Sequence, residues 1–223
     1  MDGEQMGQTY ALVGGRPCLD FVNTLEEWGG RYADLVAWSA RIGVLTAQEA
    51  EPFTVLAAND PTALHALRQA VTLRHALYEM FSAVAAGSAP APRALATLND
   101  SLVRAMARLR LVTEAPGQLG WAWAADSKAL DRPLWPIVRD ASDLLTGNER
   151  SRVRECERPG CDRLFVDYSR NHSRRWCEMA HCGMLVKSRR HYARTRGTRG
   201  SSPVAALATE SVQATGPDPV EAW

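Results

Sequence analysis

The sequence predicts a mainly α-helical protein with a small β element, an α+β chain in which a helical N-terminal domain precedes a small cysteine-rich module. Two observations support this fold class. Apolar residues recur at helical spacing, in segments bounded by Gly and Pro, along most of residues 30–146. Four of the five cysteines form two close pairs near the C-terminal end. From these patterns we predict domains at residues 1–150 and 151–197, followed by a flexible tail over residues 198–223.

The N-terminal stretch combines a strand signal with a short apolar run. Alternation over residues 10–13 ahead of two glycines predicts a strand and a turn. In the next run, residues 17–25, apolar residues follow helical spacing, but Asp20 and Asn23 interrupt them. A polar side chain in such a run needs hydrogen-bond partners. Two interpretations stay open: partners in the adjoining backbone, or the lining of a ligand pocket.

Five longer helices are predicted from periodicity and end signals. Residues 35–42 form the first, which Gly43 ends. Thr46 and Glu49 have the form of a capping box at the start of the second, which is expected to run to about residue 58. The remaining helices are expected over residues 61–87, 95–109 and 134–145.

One alternating stretch stands apart from the helices. Residues 119–124 predict a strand, and the N-terminal strand is its candidate partner. Trp121 and Trp123 share one face of it. Aromatic residues in alternation are typical of sheet cover or core, but two tryptophans can also stack a flat ligand. With Asp20 and Asn23 they make up the candidate ligand pocket.

Composition limits the location and the class of function. The N-terminus lacks a basic region followed by an apolar run, and no stretch approaches the roughly 20 apolar residues of a membrane span. We therefore expect a cytoplasmic protein without a membrane partner. The first 150 residues contain no GxGxxG motif, phosphate loop or nucleophile elbow, so the sequence does not predict an enzyme.

The paired cysteines are the strongest functional signal. Cys156 and Cys161 form one C-x4-C pair, and Cys177 and Cys182 form another with the same spacing. Thiolates suit zinc, and a structural zinc site takes four ligands at the corners of a tetrahedron. A reducing cytoplasm favours one structural zinc ion, with disulfides and unligated cysteines as the alternatives. The substitute ligands, which rank below the cysteines, are His172, His181 and His191.

The module is expected to fold as a treble-clef-like zinc finger behind a polar connector at residues 148–155. Residues 164–166 and 174–176 predict the two strands of a hairpin. Residues 179–196 contain few helix breakers and predict a helix with Cys182 in its opening turn. The positive end of that helix would favour a thiolate.

Basic charge is concentrated around this module. Residues 149–199 contain 14 Lys and Arg against 6 Asp and Glu, whereas the rest of the chain contains 12 against 19. Such a division favours a polyanion partner, with a solvated charged surface as the alternative. A basic helix can enter the major groove of double-stranded DNA. The candidate nucleic-acid contacts are Arg170, Arg174, Arg175, Lys187, Arg189, Arg190 and Arg194.

The sequence also resembles the bacterial zinc-finger proteins named after a Cys-Gly-Asn-Arg (CGNR) motif. The residues that carry the resemblance are the two cysteine pairs, Leu164-Phe165-Val166-Asp167, Ser169-Arg170, Arg174-Arg175-Trp176, Gly183, Lys187, Tyr192 and Arg194. Residues 15–24 resemble the opening of the family's N-terminal domain (ABATE), described as a stress-induced transcription regulator. The resemblance covers roughly residues 10–197 and implies a zinc-binding, DNA-binding bacterial transcription regulator.

The chain departs from the family at one place. Met184 and Leu185 stand where the family has Asn and Arg after Cys-Gly. If the family residues read bases, direct readout is weakened here; if they brace the finger, apolar packing replaces their hydrogen bonds.

Other functions stay open beside DNA binding. In one alternative, the N-terminal domain senses a small-molecule effector. In another, the finger is a purely structural or protein-interaction module. RNA binding, with stacking on Tyr168 or Tyr192, is a further alternative. A second copy of the chain is a candidate partner in each case.

Overall fold

A computed structural model of the protein describes residues 12–24, 30–57, 61–124 and 129–199. Its helices are α1 (Pro17–Val22), α2 (Tyr32–Arg41), α3 (Ala47–Ala57), α4 (Thr62–Ala85), α5 (Pro92–Met106), α6 (Trp135–Thr146) and α7 (Met184–Arg199). Its strands are β1 (Leu109–Ala115), β2 (Gln118–Trp123), β3 (Val153–Glu155) and β4 (Leu164–Val166). The predicted fold class, mainly helical with a small β element, is confirmed.

Three short segments connect these elements. Two are 3-10 segments, Arg132–Leu134 and Asn148–Arg152, and Met179–Gly183 is a π-helical turn. The described chain up to Met184 forms one compact unit, and the part from Leu185 onward belongs to a second. We call α1–α6 the helical body and residues 153–183 the finger.

The helical body is built around an apolar core between its helices. α4 presents Leu73, Leu77 and Phe81 to this core at helical spacing, and α6 presents Ile137 and Leu144. All five side chains are at most 1% exposed. Full burial of each such side chain contributes about 1.5–3 kcal/mol to stability. Among the described helices, none combines the length and the hydropathy that a bilayer crossing requires.

The capping box predicted at the start of α3 is confirmed. The backbone N–H of Thr46 donates to Oε2 of Glu49 at 2.8 Å, and the N–H of Glu49 donates to Oγ1 of Thr46 at 3.1 Å. The same carboxylate reaches across the body, because its Oε1 accepts a 2.5 Å hydrogen bond from Arg132. Glu49 therefore both caps the start of α3 and ties this helix to Arg132.

The strand at residues 118–123 is present, but its predicted pairing partner is wrong. β2 pairs antiparallel with β1, and Leu109 lies opposite Trp123 in their register. α5 ends at Met106, so the helix predicted to reach residue 109 stops before Leu109. Gly117, at φ 81°, allows the tight turn between the strands. Local closure by this turn favours a hairpin over pairing with the distant N-terminus, whose residues 10 and 11 lie outside the described part.

The hairpin predicted within the finger is also wrong. β4 pairs antiparallel with β3, which lies in the segment expected to be a polar connector. Residues 174–176 are not a strand; the carbonyl of Arg175 instead accepts a 3.0 Å hydrogen bond from the backbone N–H of Glu157, beside the first cysteine. The second half of the finger therefore folds back onto the first cysteine pair.

Strand β4 is shared between the helical body and the finger. Leu164 and Val166 belong to the apolar core of the body, whereas Phe165 belongs to a separate cluster with the four paired cysteines. Alternate residues of a strand point to opposite faces, which explains the division. The finger is thus anchored to the body by one face of its own strand. The domain boundary at residue 150 stays a prediction, as does the tail, of which residues 200–223 lie outside the described part.

Candidate metal centre

The four paired cysteines converge on one buried point. Their Sγ atoms all lie within 4.8 Å of one another. Cys161 and Cys177 are 3.8 Å apart at sulfur, Cys177 and Cys182 are 3.5 Å apart, and Cys182 and Cys161 are 3.7 Å apart. A tetrahedron with zinc–sulfur distances of about 2.3 Å has sulfur–sulfur edges of about 3.8 Å. The cluster fits one zinc ion, with the cysteines as its ligands.

Backbone hydrogen bonds position the first two ligands. The N–H of Cys156 donates to the carbonyl of Arg163 at 2.9 Å, immediately after β3. The N–H of Cys161 donates to the carbonyl of Arg158 at 3.0 Å and closes a tight turn. Gly160, at φ 76°, occupies the left-handed conformation in this turn. These backbone hydrogen bonds fix the loop between the two ligands.

The last ligand lies in the π-helical turn that leads into α7. Cys182 and Gly183 are both buried there, and the N–H of Gly183 donates to the carbonyl of Glu178 at 3.1 Å. A Cβ at position 183 would lie 2.5 Å from Sδ of Met179 and 3.3 Å from the ring of Trp176. A side chain at this position would shift the thioether of Met179, which is 54% exposed, and would crowd the Trp176 ring. Glycine avoids that shift.

Arg158 approaches the cluster from outside, a role that sequence reasoning missed. Its Nε donates to Sγ of Cys182 at 3.1 Å, and its Nη2 donates to the carbonyl of Gly160 at 3.3 Å. The hydrogen bond to Cys182 raises the pKa of the Arg158 guanidinium above its ordinary value. A guanidinium beside a thiolate stabilises the anionic form that binds metal. Its place inside the first C-x4-C pair is the signal that could have singled it out.

Arg174, a candidate nucleic-acid contact, has an internal role. Its guanidinium lies 4.3 Å from the centre of the Phe165 ring. It donates to the carbonyls of Trp176 at 3.1 Å, Val13 at 3.2 Å and Val166 at 3.4 Å, and also to the carbonyl of Cys177. Arg174 therefore links the finger strand, the third cysteine and the N-terminal segment.

Asp167 organises the loop between the two cysteine pairs. Its buried carboxylate accepts from the N–H groups of Ser169 at 2.8 Å and Arg174 at 3.0 Å. Burial opposes the charged form, but these hydrogen bonds outweigh it and lower the pKa of Asp167. Its own N–H donates to the carbonyl of Arg152 at 2.9 Å. The loop is thus held to the segment that leaves α6.

Asp20 and Asn23, two of the candidate pocket residues, bond to backbone groups. Oδ1 of Asp20 accepts from the N–H of Gly14 at 2.8 Å. The Asn23 amide pairs with the backbone of Leu164, donating at 2.9 Å and accepting at 2.8 Å. Gly14 in turn accepts from the N–H of Val166 at 2.9 Å. These contacts correspond to the first of the two interpretations, partners in the backbone, and they tie the N-terminal segment to β4.

The other two candidate pocket residues lie on the β1–β2 hairpin. Trp121 is 56% exposed, with Arg139 of α6 at 5.5 Å from its ring. Trp123 packs against Trp135, with 5.9 Å between ring centres. Their contacts run to α6, whereas those of Asp20 and Asn23 run to the N-terminal segment and to β4. A pocket formed by all four residues stays a prediction.

The remaining candidate nucleic-acid contacts differ in their surroundings. Arg170 is exposed in the loop after Asp167. Arg175 donates to the Glu157 carboxylate at 2.6 Å and forms an ion pair with it. In the second unit, Lys187 and Arg189 are exposed on α7. The side chains of Arg190 and Arg194 lie outside the described part.

Comparison with known families agrees with this arrangement. Residues 15–148 match the family model described as "Putative stress-induced transcription regulator" (ABATE). The chain belongs to the ABATE family. Residues 152–195 of this ABATE protein match the model described as "CGNR zinc finger". Both are regulator or zinc-finger families and neither is a family of enzymes. No curated protein matches the chain.

The finger departs from the Cys-Gly-Asn-Arg motif at two positions. Met184 and Leu185 follow Cys182-Gly183 where the motif has Asn and Arg, and both side chains are exposed. None of the four cysteines is changed, so the zinc site is complete. The difference therefore lies on the exposed surface and leaves the set of four cysteines intact.

Proposed function

We propose that this ABATE protein is a zinc-dependent transcription regulator whose finger and α7 bind double-stranded DNA, while the helical body senses a signal or mediates assembly. The observation that carries the proposal is α7, which begins two residues after the last cysteine ligand. Its 16 residues include six Lys and Arg and no Asp or Glu. A basic helix without carboxylates of its own favours a polyanionic partner.

Zinc has a structural role in this proposal. Four thiolates leave no open coordination position, which is typical of a closed structural site. Bound zinc supplies folding free energy to a segment with a small apolar core. The chain's own residues then do the rest: Arg158 balances charge at Cys182, and Asp167 and Arg174 hold the loop that leads to the third ligand.

The contacts of the arginines suggest which of them bind phosphate. Arg170, Lys187 and Arg189 are exposed and are the leading candidates. Arg174 is bonded to carbonyl groups of the protein, and Arg175 is paired with Glu157. An arginine whose donors are already used gains less from a phosphate. We therefore expect Arg174 and Arg175 to contribute less to binding than Arg170 and the basic residues of α7.

The salt dependence of DNA binding tests the proposal. If about four phosphates are contacted, log affinity for duplex DNA should fall with log salt at a slope of about −3.6. A variant with alanine at Lys187, Arg190 and Arg194 should flatten the slope by up to about 2.7. Arginines of the helical body supply a matched control, with alanine at Arg41, Arg68 and Arg93. Fluorescence anisotropy of a labelled duplex between about 50 and 200 mM salt measures both.

The result would also separate the alternatives. An unchanged slope in the α7 variant would remove this helix from the interface. Stronger binding to single-stranded RNA than to duplex DNA, lost when Tyr168 and Tyr192 are replaced by alanine, would favour RNA as the partner. A zinc-loaded protein that binds neither nucleic acid would favour a sensor or protein-interaction role. A homodimer and a small-molecule effector are further parts of the proposal, and sedimentation velocity tests the first.

A further inference from the structure

A groove of about 300 Å³ lies between α4, α5 and α6 in the helical body. Its floor is formed by Met80 and Leu98, which are 2% and 3% exposed. Val84, Leu102 and Leu145 form its walls. The volume is at the small end of the range for ligand pockets, about 300–1,000 Å³. The groove is therefore sized for a small molecule with an apolar body.

Four polar residues also line the groove: Asn99, Ser142, Thr146 and Arg150. The hydroxyl of Ser142 donates to the carbonyl of Val138 at 2.9 Å, and that of Thr146 donates to the carbonyl of Ser142 at 2.8 Å. The donors left to face a ligand are the amide of Asn99 and the guanidinium of Arg150. Within the part of the chain that the structure describes, no hydrogen bond or ion pair uses that guanidinium. The polar lining of the groove thus offers positive charge and hydrogen-bond donors.

We infer that this groove binds a small amphipathic carboxylate, with its apolar tail on Met80 and Leu98 and its carboxylate on Arg150. Charge complementarity selects the acid, because a guanidinium binds a carboxylate through two parallel hydrogen bonds. A neutral molecule of the same shape gains only the apolar contacts, and a cation is repelled. The site goes beyond the proposed DNA binding and is tested without any nucleic acid.

Arg150 also connects the groove to the finger. It lies in the 3-10 segment Asn148–Arg152. In that segment Glu149 accepts a 2.5 Å hydrogen bond from Arg16, and the carbonyl of Arg152 accepts from the N–H of Asp167 at 2.9 Å. A ligand that holds Arg150 restrains the segment to which the finger loop is bonded. Binding should therefore slow hydrogen exchange at the amide of Asp167.

The test uses zinc-loaded full-length protein and decanoate as the probe, below its micellar concentration. Isothermal titration calorimetry should give the affinity order decanoate, then decanamide, then decylammonium. Arg150→Gln should lower the affinity for decanoate about tenfold, because one charge-assisted pair is lost. Its affinity for decanamide should stay within about twofold of the wild-type value. Val84→Phe, which fills the groove, should lower the affinity for both decanoate and decanamide. Arg68→Gln, an exposed arginine of α4 outside the groove, is the matched control.

The remaining outcomes would overturn the inference. Equal affinity for the three probes, or equal losses in Arg150→Gln and Arg68→Gln, would mean adsorption to apolar surface without a carboxylate site. Unchanged binding in Val84→Phe, with an unchanged melting temperature, would place the probe elsewhere. DNA affinity enters none of these measurements, so failure here and failure of the proposed function are distinguishable.

Discussion

The helical body and the finger are stabilised by different forces, although they share strand β4. The body buries large side chains such as Trp38, Phe81 and Trp135 in one core. The cluster in the finger consists of four cysteines and a single aromatic ring, Phe165, with Val13 and Trp176 packed beside it. So little apolar surface cannot offset the conformational entropy of the finger, so the metal has to supply the difference. Loss of zinc should therefore unfold the finger before the body.

The largest expected effect comes from removing a ligand. Cys177→Ser should weaken zinc binding by more than about 100-fold, because it removes one of the four thiolates of the cluster. Metal analysis and a chelator competition measure the change. Far-UV circular dichroism should keep most of its helical signal, since the core of the body is untouched.

Cys18→Ala is the matched control for this change. Cys18 is buried in the helical body and is not part of the metal cluster. Its replacement should leave zinc content unchanged and lower the melting temperature only slightly. Equal zinc losses in the two variants would contradict the assignment of the site.

The joint between the two regions gives the next effect. Asn23→Ala removes both hydrogen bonds to the backbone of Leu164, and should lower the free energy of unfolding by about 1–3 kcal/mol. Urea titration measures the free energy of unfolding. Asn99→Ala, on the exposed face of α5, is the control and should stay within about 0.5 kcal/mol of the wild type. An Asn23 variant as stable as the control would mean that the finger does not depend on this anchor.

A smaller effect on the zinc site is expected from Arg158. Arg158→Ala should speed zinc transfer to a chelator about tenfold, because Cys182 loses a charge-assisted hydrogen bond. Arg158→Lys should fall between this variant and the wild type, since lysine keeps the charge but not the guanidinium geometry. Arg175→Ala removes an exposed arginine paired with Glu157 and should leave the rate unchanged. If both Arg158 variants released zinc at the wild-type rate, as the Arg175 control should, Arg158 would not stabilise the ligand.

The smallest effect is a pH dependence that belongs to the body. Burial raises the pKa of Asp20 to about 6; the backbone of Gly14 opposes the shift and the nearby Asp140 adds to it. Between its unfolded pKa of about 3.9 and about 6, the folded state holds more protons than the unfolded state. The contribution of Asp20 to stability is therefore present below that range and is lost as pH rises through about 6.

Asp20→Asn removes this titration and should flatten the curve. Between about pH 4 and pH 6.5, the free energy of unfolding of the variant should rise by about 1–2 kcal/mol relative to that of the wild type. Urea unfolding at several pH values measures the difference between the two proteins, which cancels other carboxylates such as Glu49 and Asp167. A constant difference across this range would show that Asp20 titrates normally.

Much of the fold could be read from local patterns, and the errors share one cause. The capping box at Thr46 and Glu49 and the five long helices depend on residues close in sequence. The wrong predictions at residues 109–123 and 164–176 concern which strands pair with each other. Pairing depends on which segments meet in space. Arg174 could not be separated from the exposed arginines for the same reason, because its partners include Val13, far away in the chain.

The zinc site follows from the sequence, since two cysteine pairs with equal spacing supply four thiolates whatever the rest of the chain does. The helical class and the basic character of α7 also follow from the sequence. Three features became visible only in the folded chain: Leu164 and Val166 belong to the core of the body, Asn23 pairs with Leu164, and Arg158 contacts Cys182. Spacing encodes local geometry, whereas burial and hydrogen-bond partners arise from contacts between segments that the sequence does not place together.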